Sequence, residues 1–309
     1  MKSLKNYIEN YVNENYLNES IWDIDDNIED NNEEFAIRNF IDTNYECKGE
    51  LKIFKKDGVY YADCDDDVIV RNKKLTSLTD GLFKWDYVDG EFDCSYCLIE
   101  TLEGAPEEVY GSINCSGCKK LISLKGAPES VQSFDCSGTS IKSLAYAPLR
   151  TMEFYCSNCD KLEDISWIYN HGGYVDGQFQ CCNNKKLKSI SHLPEKNAYE
   201  GYVIDLSNNI NLRSLDGCPD AAVALNLAGC KSLKDLQYIP QRISFYLNLS
   251  NCKGLKNLDY VSFYNDIDIY IGGCNNLVWD GKKLTKMSED ELKTLGATYK
   301  VKFLNFVKP

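Results

Sequence analysis

Two cysteine pairs stand first among the residues that could do chemistry. Cys94-x-x-Cys97 and Cys115-x-x-Cys118 have 17 residues between them, the spacing of a tetrahedral zinc site. Fifteen cysteines against two histidines leave three uses in a reducing compartment: metal ligation, redox chemistry, or small buried hydrophobes. A second candidate is acidic. The run DIDDNIEDNNEE puts Asp23, Asp25, Asn27, Asn31 and Glu34 at positions 1, 3, 5, 9 and 12 of a calcium loop. Its sixth position is Ile28, where the sharp turn needs glycine, and its eighth is Asp30, where an apolar residue belongs. It reads as a solvated acidic loop. Asp63-Cys64-Asp65-Asp66-Asp67 lacks the glycine as well and reads the same way. His171 and His192 fall in different copies of the repeat described next, so no His-based triad or metal centre is visible. No Gly-rich phosphate loop follows a strand. The expectation is a protein with no catalytic residues, no metal and no cofactor.

The cysteines belong to a pattern that recurs along the chain. FDCSYCLIETL, INCSGCKKLISL, FDCSGTSIKSL, FYCSNCDKLEDI, FQCCNNKKLKSI, IDLSNNINLRSL, LNLAGCKSLKDL, LNLSNCKGLKNL and IYIGGCNNL align, after a degenerate first copy, VIVRNKKLTSL. One anchor position runs Val70, Cys94, Cys115, Cys136, Cys156, Cys181, Leu206, Leu227, Leu249 and Ile271, at intervals of 20–25 over ten copies. Each copy reads apolar-x-apolar-x-x-Cys/Asn-x-x-Leu-x-x-Leu. The alternating stretch predicts a short strand with its apolar side chains turned inward. The Cys/Asn position predicts a turn whose side chain bonds stranded backbone groups. That turn ladder is Cys97, Cys118, Cys159, Asn184, Asn209, Cys230, Cys252 and Cys274.

This pattern opposes zinc. The first cysteine of the pair becomes Leu206, Leu227 and Leu249 in later copies, and the second becomes Thr139, Asn184 and Asn209. An inward anchor and a turn residue do not converge on one ion. Stacked anchors would sit ~4.8 Å apart with parallel Cβ vectors, which disfavours disulfides, so free thiols are expected. The return side carries Gly104-Ala105-Pro106-Glu107, Gly126-Ala127-Pro128-Glu129, Ala147-Pro148, Leu193-Pro194, Cys218-Pro219 and Ile239-Pro240. Proline and a short period leave no room for a full helix there.

The repeat resembles the leucine-rich repeat consensus, L-x-x-L-x-L-x-x-N/C-x-L, over about two thirds of the chain. Its short period and its Gly-Ala-Pro-Glu and Cys-Ser-x-Cys dialect are similar to bacterial and bacteriophage members, including proteins of gut phages. The first ten residues, MKSLKNYIEN, resemble the leader of some tailed-phage proteins packaged into proheads, with Asn10 where that leader ends in Glu and Val12-Asn13-Glu14 as a neighbouring alternative. The resemblance implies an α/β-type solenoid of about ten coils with one parallel sheet and a non-helical convex side. It also implies a phage-encoded protein in the bacterial host cytoplasm or, alternatively, in the virion.

Three segments are expected: an acidic α+β N-terminal cap over residues 1–67, the solenoid over 68–277, and a C-terminal cap over 278–309. Residues 1–67 hold 18 acidic and 7 basic side chains, so they carry −11 of the net −13. In the cap, Ser3 caps a first helix bearing Leu4, Tyr7, Ile8, Tyr11 and Val12. A second helix, about Asn32 to Thr43, buries Ala36, Ile37, Phe40 and Ile41, and a hairpin turns at Asp57-Gly58. In the tail, Ser288 and Glu291 form a capping box. No apolar run reaches the ~18–20 residues of a membrane span, and the N-terminus lacks a secretory h-region. The negative charge opposes nucleic acid and anionic membrane as partners. A monomer that binds an unidentified protein is expected.

The sheet face is where such repeats bind. Asp93, Asn114, Asp135, Tyr155, Gln180, Asp205, Asn226, Asn248 and Tyr270 precede the anchors, and a ladder of mostly serines follows them. Tyr155, Tyr246 and Tyr270 interrupt this uniform surface and are the expected contacts. Trp167 and Tyr169, with His171, Tyr174, Tyr199 and Tyr202, mark the longer coils as a second candidate surface. Two other functions stay open: a packaged or early-acting phage protein that interferes with host factors, and carbohydrate or other ligand binding on the sheet face.

Overall fold

Strict alternation fixes the strands and their register. In the computed structural model, which describes residues 26–190, 192–194, 201–262, 267–279, 282–283, 288, 290–291, 294 and 301–304, one apolar column crosses the main sheet. Phe92, Ile113, Phe134, Phe154, Phe179, Ile204, Leu225, Leu247 and Ile269 are paired strand to strand in that order. All are buried. The rings of Phe134, Phe154 and Phe179 stack at centroid spacings of 5.4 and 5.6 Å. A slip of one residue in any strand would turn this column to water and bring carboxylates inside, so the register is strongly specified.

The strands of the column are β6 (Phe92–Asp93), β8 (Ser112–Asn114), β9 (Ser133–Asp135), β10 (Arg150–Tyr155), β11 (Tyr174–Gln180), β12 (Val203–Asp205), β13 (Ala221–Asn226), β14 (Arg242–Asn248) and β15 (Ile267–Tyr270). They are parallel to one another, and β4 (Val68–Val70) pairs parallel ahead of them. The chain is therefore a β-solenoid with few helices, each coil adding one strand to a single parallel sheet. Every described anchor from Cys94 to Ile271 is fully buried. The residue two places after each anchor from Cys94 onward has a positive φ, and it is glycine or asparagine at every coil but one, where Tyr96 stands at 59°. Glycine and asparagine are the residues that enter this left-handed region at least cost.

The ends of the sheet are covered by strands of other origin. Helix α1 (Asp26–Asn44) leads into β1 (Tyr45–Cys47), which pairs antiparallel with β4. The helix begins six residues before the expected Asn32. The predicted acidic loop is thus corrected: from Asp26 onward it is helix. Carboxylates in first turns favour a helix start by opposing its dipole, which a pattern of apolar residues alone cannot reveal. Ala36, Ile37, Phe40 and Ile41 are buried as the pattern implies. The hairpin forms from β2 (Leu51–Lys56) and β3 (Val59–Cys64), with Asp57 and Gly58 both at positive φ.

That hairpin does more than close an end. β3 pairs parallel with β5 (Lys84–Val88), and β5 with β7 (Glu108–Val109), making a second, four-stranded sheet. Residues before Asp67 therefore share both sheets with the coils. At the other end β18 (Val301–Leu304) pairs parallel with β15, and β16 (Val278–Trp279) pairs with β17 (Lys282–Lys283). Ser288 and Glu291 exchange the two bonds of a capping box, at 2.6 and 3.2 Å. The expectation of a wholly non-helical return side is corrected once, by the single turn α2 (Trp167–Asn170). No helix among the described residues is long and apolar enough to cross a membrane. The proposed leader and the helix from Ser3 lie outside the described residues, as does Tyr199.

Candidate functional site

The cysteine pairs are built into the backbone of the solenoid. At the turn position the side chain donates to the carbonyl oxygen of the anchor one coil earlier. Cys118 reaches Cys94 O at 3.1 Å, Cys159 reaches Cys136 O at 3.3 Å, and Cys230 reaches Leu206 O at 3.2 Å. Cys252 reaches Leu227 O at 3.0 Å and Cys274 reaches Leu249 O at 2.9 Å. Asn184 and Asn209 make the same bond through Nδ2, to Cys156 O and Cys181 O, at 3.0 and 2.7 Å. These seven turn residues are thus rungs between coils, whereas Cys97 donates to Ser95 O and Thr139 to Cys136 O within their own coils. Among the described residues no three His, Cys, Asp or Glu side chains are grouped to hold a metal. Burial holds the thiols of Cys94, Cys115, Cys136 and Cys156 well above their ordinary range. It pushes Cys118 and Cys230 up to about 12 and Cys274 to about 11. A protonated thiol donates a hydrogen bond, and is neither a nucleophile nor a ligand.

The residues on the sheet face divide into those that hold the turn and those left for a partner. The Oδ1 atoms of Asp93, Asn114, Asp135, Asp205, Asn226 and Asn248 accept the N–H two residues on, at 2.7–3.1 Å. These are Asx turns, so most of the polar ladder serves folding. The serines that follow are less open than expected, with Ser95, Ser157 and Ser207 buried.

The interrupting tyrosines do not share one place. Tyr246 and Tyr270 meet edge to face, with centroids 6.2 Å apart and planes at 88°. The exposed Phe245 packs against Tyr246 at 5.5 Å. Beside Tyr246 on the neighbouring strand is Ala224, which is buried. Burial raises the Tyr246 phenol, and the charge of Asp205 and then Tyr270 add to the shift. Tyr155 is on β10, four strands from β14, a separation of about 19 Å. Its hydroxyl donates to Glu153 Oε2 at 3.0 Å, and burial with Glu153 pushes it up to about 12. The three tyrosines are therefore a pair and a single residue.

Charge distinguishes this face further. At the outward positions one and three residues before each anchor from Cys94 to Ile271 stand Glu91, Asp93, Asp135, Glu153, Asp205 and Asp268, and no lysine or arginine, while the exposed Arg150 and Arg242 open β10 and β14. Lys302 of β18 is in register beside Asp268 at the far end.

Trp167 and Tyr169 lie elsewhere, on α2 at the return side. Trp167 stacks on His171 at 3.6 Å and lies 5.3 Å from Tyr146, and its Nε1 donates to Ala147 O at 3.2 Å. Tyr169 stacks on His192 at 4.6 Å. These rings fill one another's faces. Tyr202 is core, with its hydroxyl donating to Pro194 O at 2.5 Å. Tyr146, His192 and Tyr238 take positive φ at the corner where Gly104, Gly126 and Gly217 do so in other coils. The sequence carried this signal, since Tyr146-Ala147-Pro148 aligns with Gly104-Ala105-Pro106.

No protein-family model matches the chain, and neither the curated proteins nor the solved structures include a match to it.

Proposed function

We propose that the chain is a leucine-rich-repeat solenoid, and a non-catalytic protein-binding module whose sheet face takes a basic segment of its partner at Tyr246 and Tyr270. Support for the repeat type comes from the Cys/Asn rung between anchors and from the two leucines that close each coil. The observation that carries the function is the sheet face itself: two perpendicular rings on a face whose outward positions one and three residues before each anchor hold carboxylates and no lysine or arginine from Cys94 to Ile271. An ammonium or guanidinium over a tyrosine ring gains ~0.5–2 kcal/mol, more as water is excluded. The repeat dialect and the first ten residues support a phage-encoded protein acting in the bacterial host cytoplasm, with packaging in the virion as the variant of that reading.

The test uses three labelled peptides of equal length: Lys/Arg-rich, neutral and acidic. The basic peptide should bind best and weaken as salt is raised, since exposed charges are screened within about 10 Å at 0.1 M. Changing Tyr246→Ala and Tyr270→Ala together should weaken it by about tenfold, the effect of ~1.4 kcal/mol. Equal binding of the neutral peptide would remove the charge argument, and an unchanged affinity in the double variant would remove this site.

A further inference from the structure

Phe245 breaks the pattern of the main sheet. In that sheet's strands from β4 to β15, Met152 and Phe245 are the large apolar side chains left exposed. Both fall where the ladder changes register. β14 spends Ser244 and Phe245 where β13 spends Val223, because Ile243 pairs with Ala222 and Tyr246 with Ala224. Such a bulge re-aims a side chain while the strand continues. Ile243 and Leu247 stay buried on either side, whereas Ser244 is exposed and Phe245 is 64% exposed.

Met152 is on β10, four strands away from β14. Phe245 instead continues a run of rings. It meets Tyr246 at 5.5 Å with planes at 63°, and Tyr246 meets Tyr270 at 6.2 Å. Charge changes along this run. At the Tyr246 end, Asp268 is the register partner of Tyr246 on β15. At the Phe245 end the bulge brings only Ser244 and Val223 alongside, and the one charged residue of β14 is the exposed Arg242. A cation is therefore favoured over the tyrosines and an uncharged apolar group over Phe245. In an extended segment, residues i and i+2 share a face and lie about 7 Å apart, close to the spacing of these rings.

We propose that Phe245 is an apolar subsite of the sheet face, and that the partner segment is extended and carries a bulky apolar residue two positions from its cation. The proposal rests on the reading of Tyr246 and Tyr270 as the contacts of that cation. It makes Phe245 a specificity-determining residue: charge selects basic segments, and Phe245 selects among them.

Four labelled peptides of equal length test this on the full chain by fluorescence anisotropy. They carry Lys with Leu two positions on, Lys with Ser there, Gln with Leu, and Gln with Ser. Leu should tighten binding over Ser by roughly fivefold to tenfold, the effect of covering part of an apolar side chain. A fifth peptide, with Leu next to Lys, should lose that gain, because neighbouring side chains of an extended segment point to opposite faces. Phe245→Ser should abolish the gain and leave the salt dependence of the Lys–Ser peptide unchanged. Phe245→Leu should keep most of it. Phe245 is exposed, so both variants should fold, with thermal midpoints close to that of the unaltered chain. Equal affinity for Leu and Ser peptides, or a Leu gain that survives Phe245→Ser, would overturn the subsite even where Lys still outbinds Gln. A gain that persists with Leu next to Lys would overturn the extended spacing. If the gain depends on Phe245 but Lys and Gln peptides bind equally, the subsite stands and the cation reading falls. Failure of every peptide to bind would overturn both.

Discussion

Asn209 and Cys230 occupy equivalent turns one coil apart and make unequal use of them. Asn209 donates to Cys181 O at 2.7 Å and to Leu206 O at 2.8 Å, and its Oδ1 accepts the Asn184 N–H at 2.8 Å. Cys230 makes one S–H bond, at 3.2 Å. Removing a side chain that leaves buried polar groups unpaired costs ~1–3 kcal/mol for such a group. Asn209→Ala should therefore destabilise by about 3 kcal/mol or more, and Cys230→Ala by about 1 kcal/mol, read from urea denaturation. The thiols make a second prediction, in pH. Burial raises Cys97 to about 11 and Cys230 to about 12, above the ~8.5 of an unfolded cysteine. The folded state then keeps protons that the unfolded state gives up. Their contribution is complete below about pH 8.5 and is lost as pH climbs toward the folded values. Thermal midpoints should hold steady from pH 7 to 8 and fall progressively from pH 9 to 11. A flat profile to pH 11 would show that these thiols ionise as readily folded as unfolded.

At the scale of one turn, the departure of Tyr96 from its equivalents is informative. Gly117, Gly138, Gly229 and Gly273, with Asn158, Asn183, Asn208 and Asn251, hold the same left-handed position. A bulky residue there costs ~1–2 kcal/mol in backbone strain. Tyr96 is 68% exposed, so little packing offsets that cost, although its ring covers Gly117. Tyr96→Asn should raise the unfolding free energy by about 1 kcal/mol. A loss of similar size would show that the ring over Gly117 outweighs the strain. Much of this element was legible beforehand. Apolar alternation followed by Asn or Gly reports strand and turn directly, because one side chain per position decides each. Helix α1 was legible in its buried face but not in its start, which depends on charge at the terminus. The pairing of β3 with β5 was not legible, because it joins a hairpin to the return side of a coil through contacts no local pattern specifies. Tyr155 could have been separated from Tyr246 by counting copies of the repeat.

For the whole molecule, the sheet is a stack in which each coil is held by its two neighbours, so stability is set by the ends as well as by the interior. A parallel strand at an open end presents unpaired N–H and C=O groups to any other chain. Here β1 meets this at one end by pairing antiparallel with β4, and β18 meets it at the other by pairing with β15. The second end is the more consequential for function, because β15 carries Tyr270 and ladders with β14, which carries Tyr246. Ending the chain before residue 301 should leave the edge of β15, Ile267–Tyr270, unpaired. Two such edges can pair with each other, so the truncated chain should self-associate, eluting earlier from a sizing column as concentration rises. Basic-peptide binding should weaken with it, since self-pairing and peptide compete for the same end of the sheet. If the truncated chain elutes at the position of the full chain's monomer at every concentration, β18 is not what guards this edge. If it self-associates but binds peptide with unchanged affinity, the binding surface lies away from Tyr270.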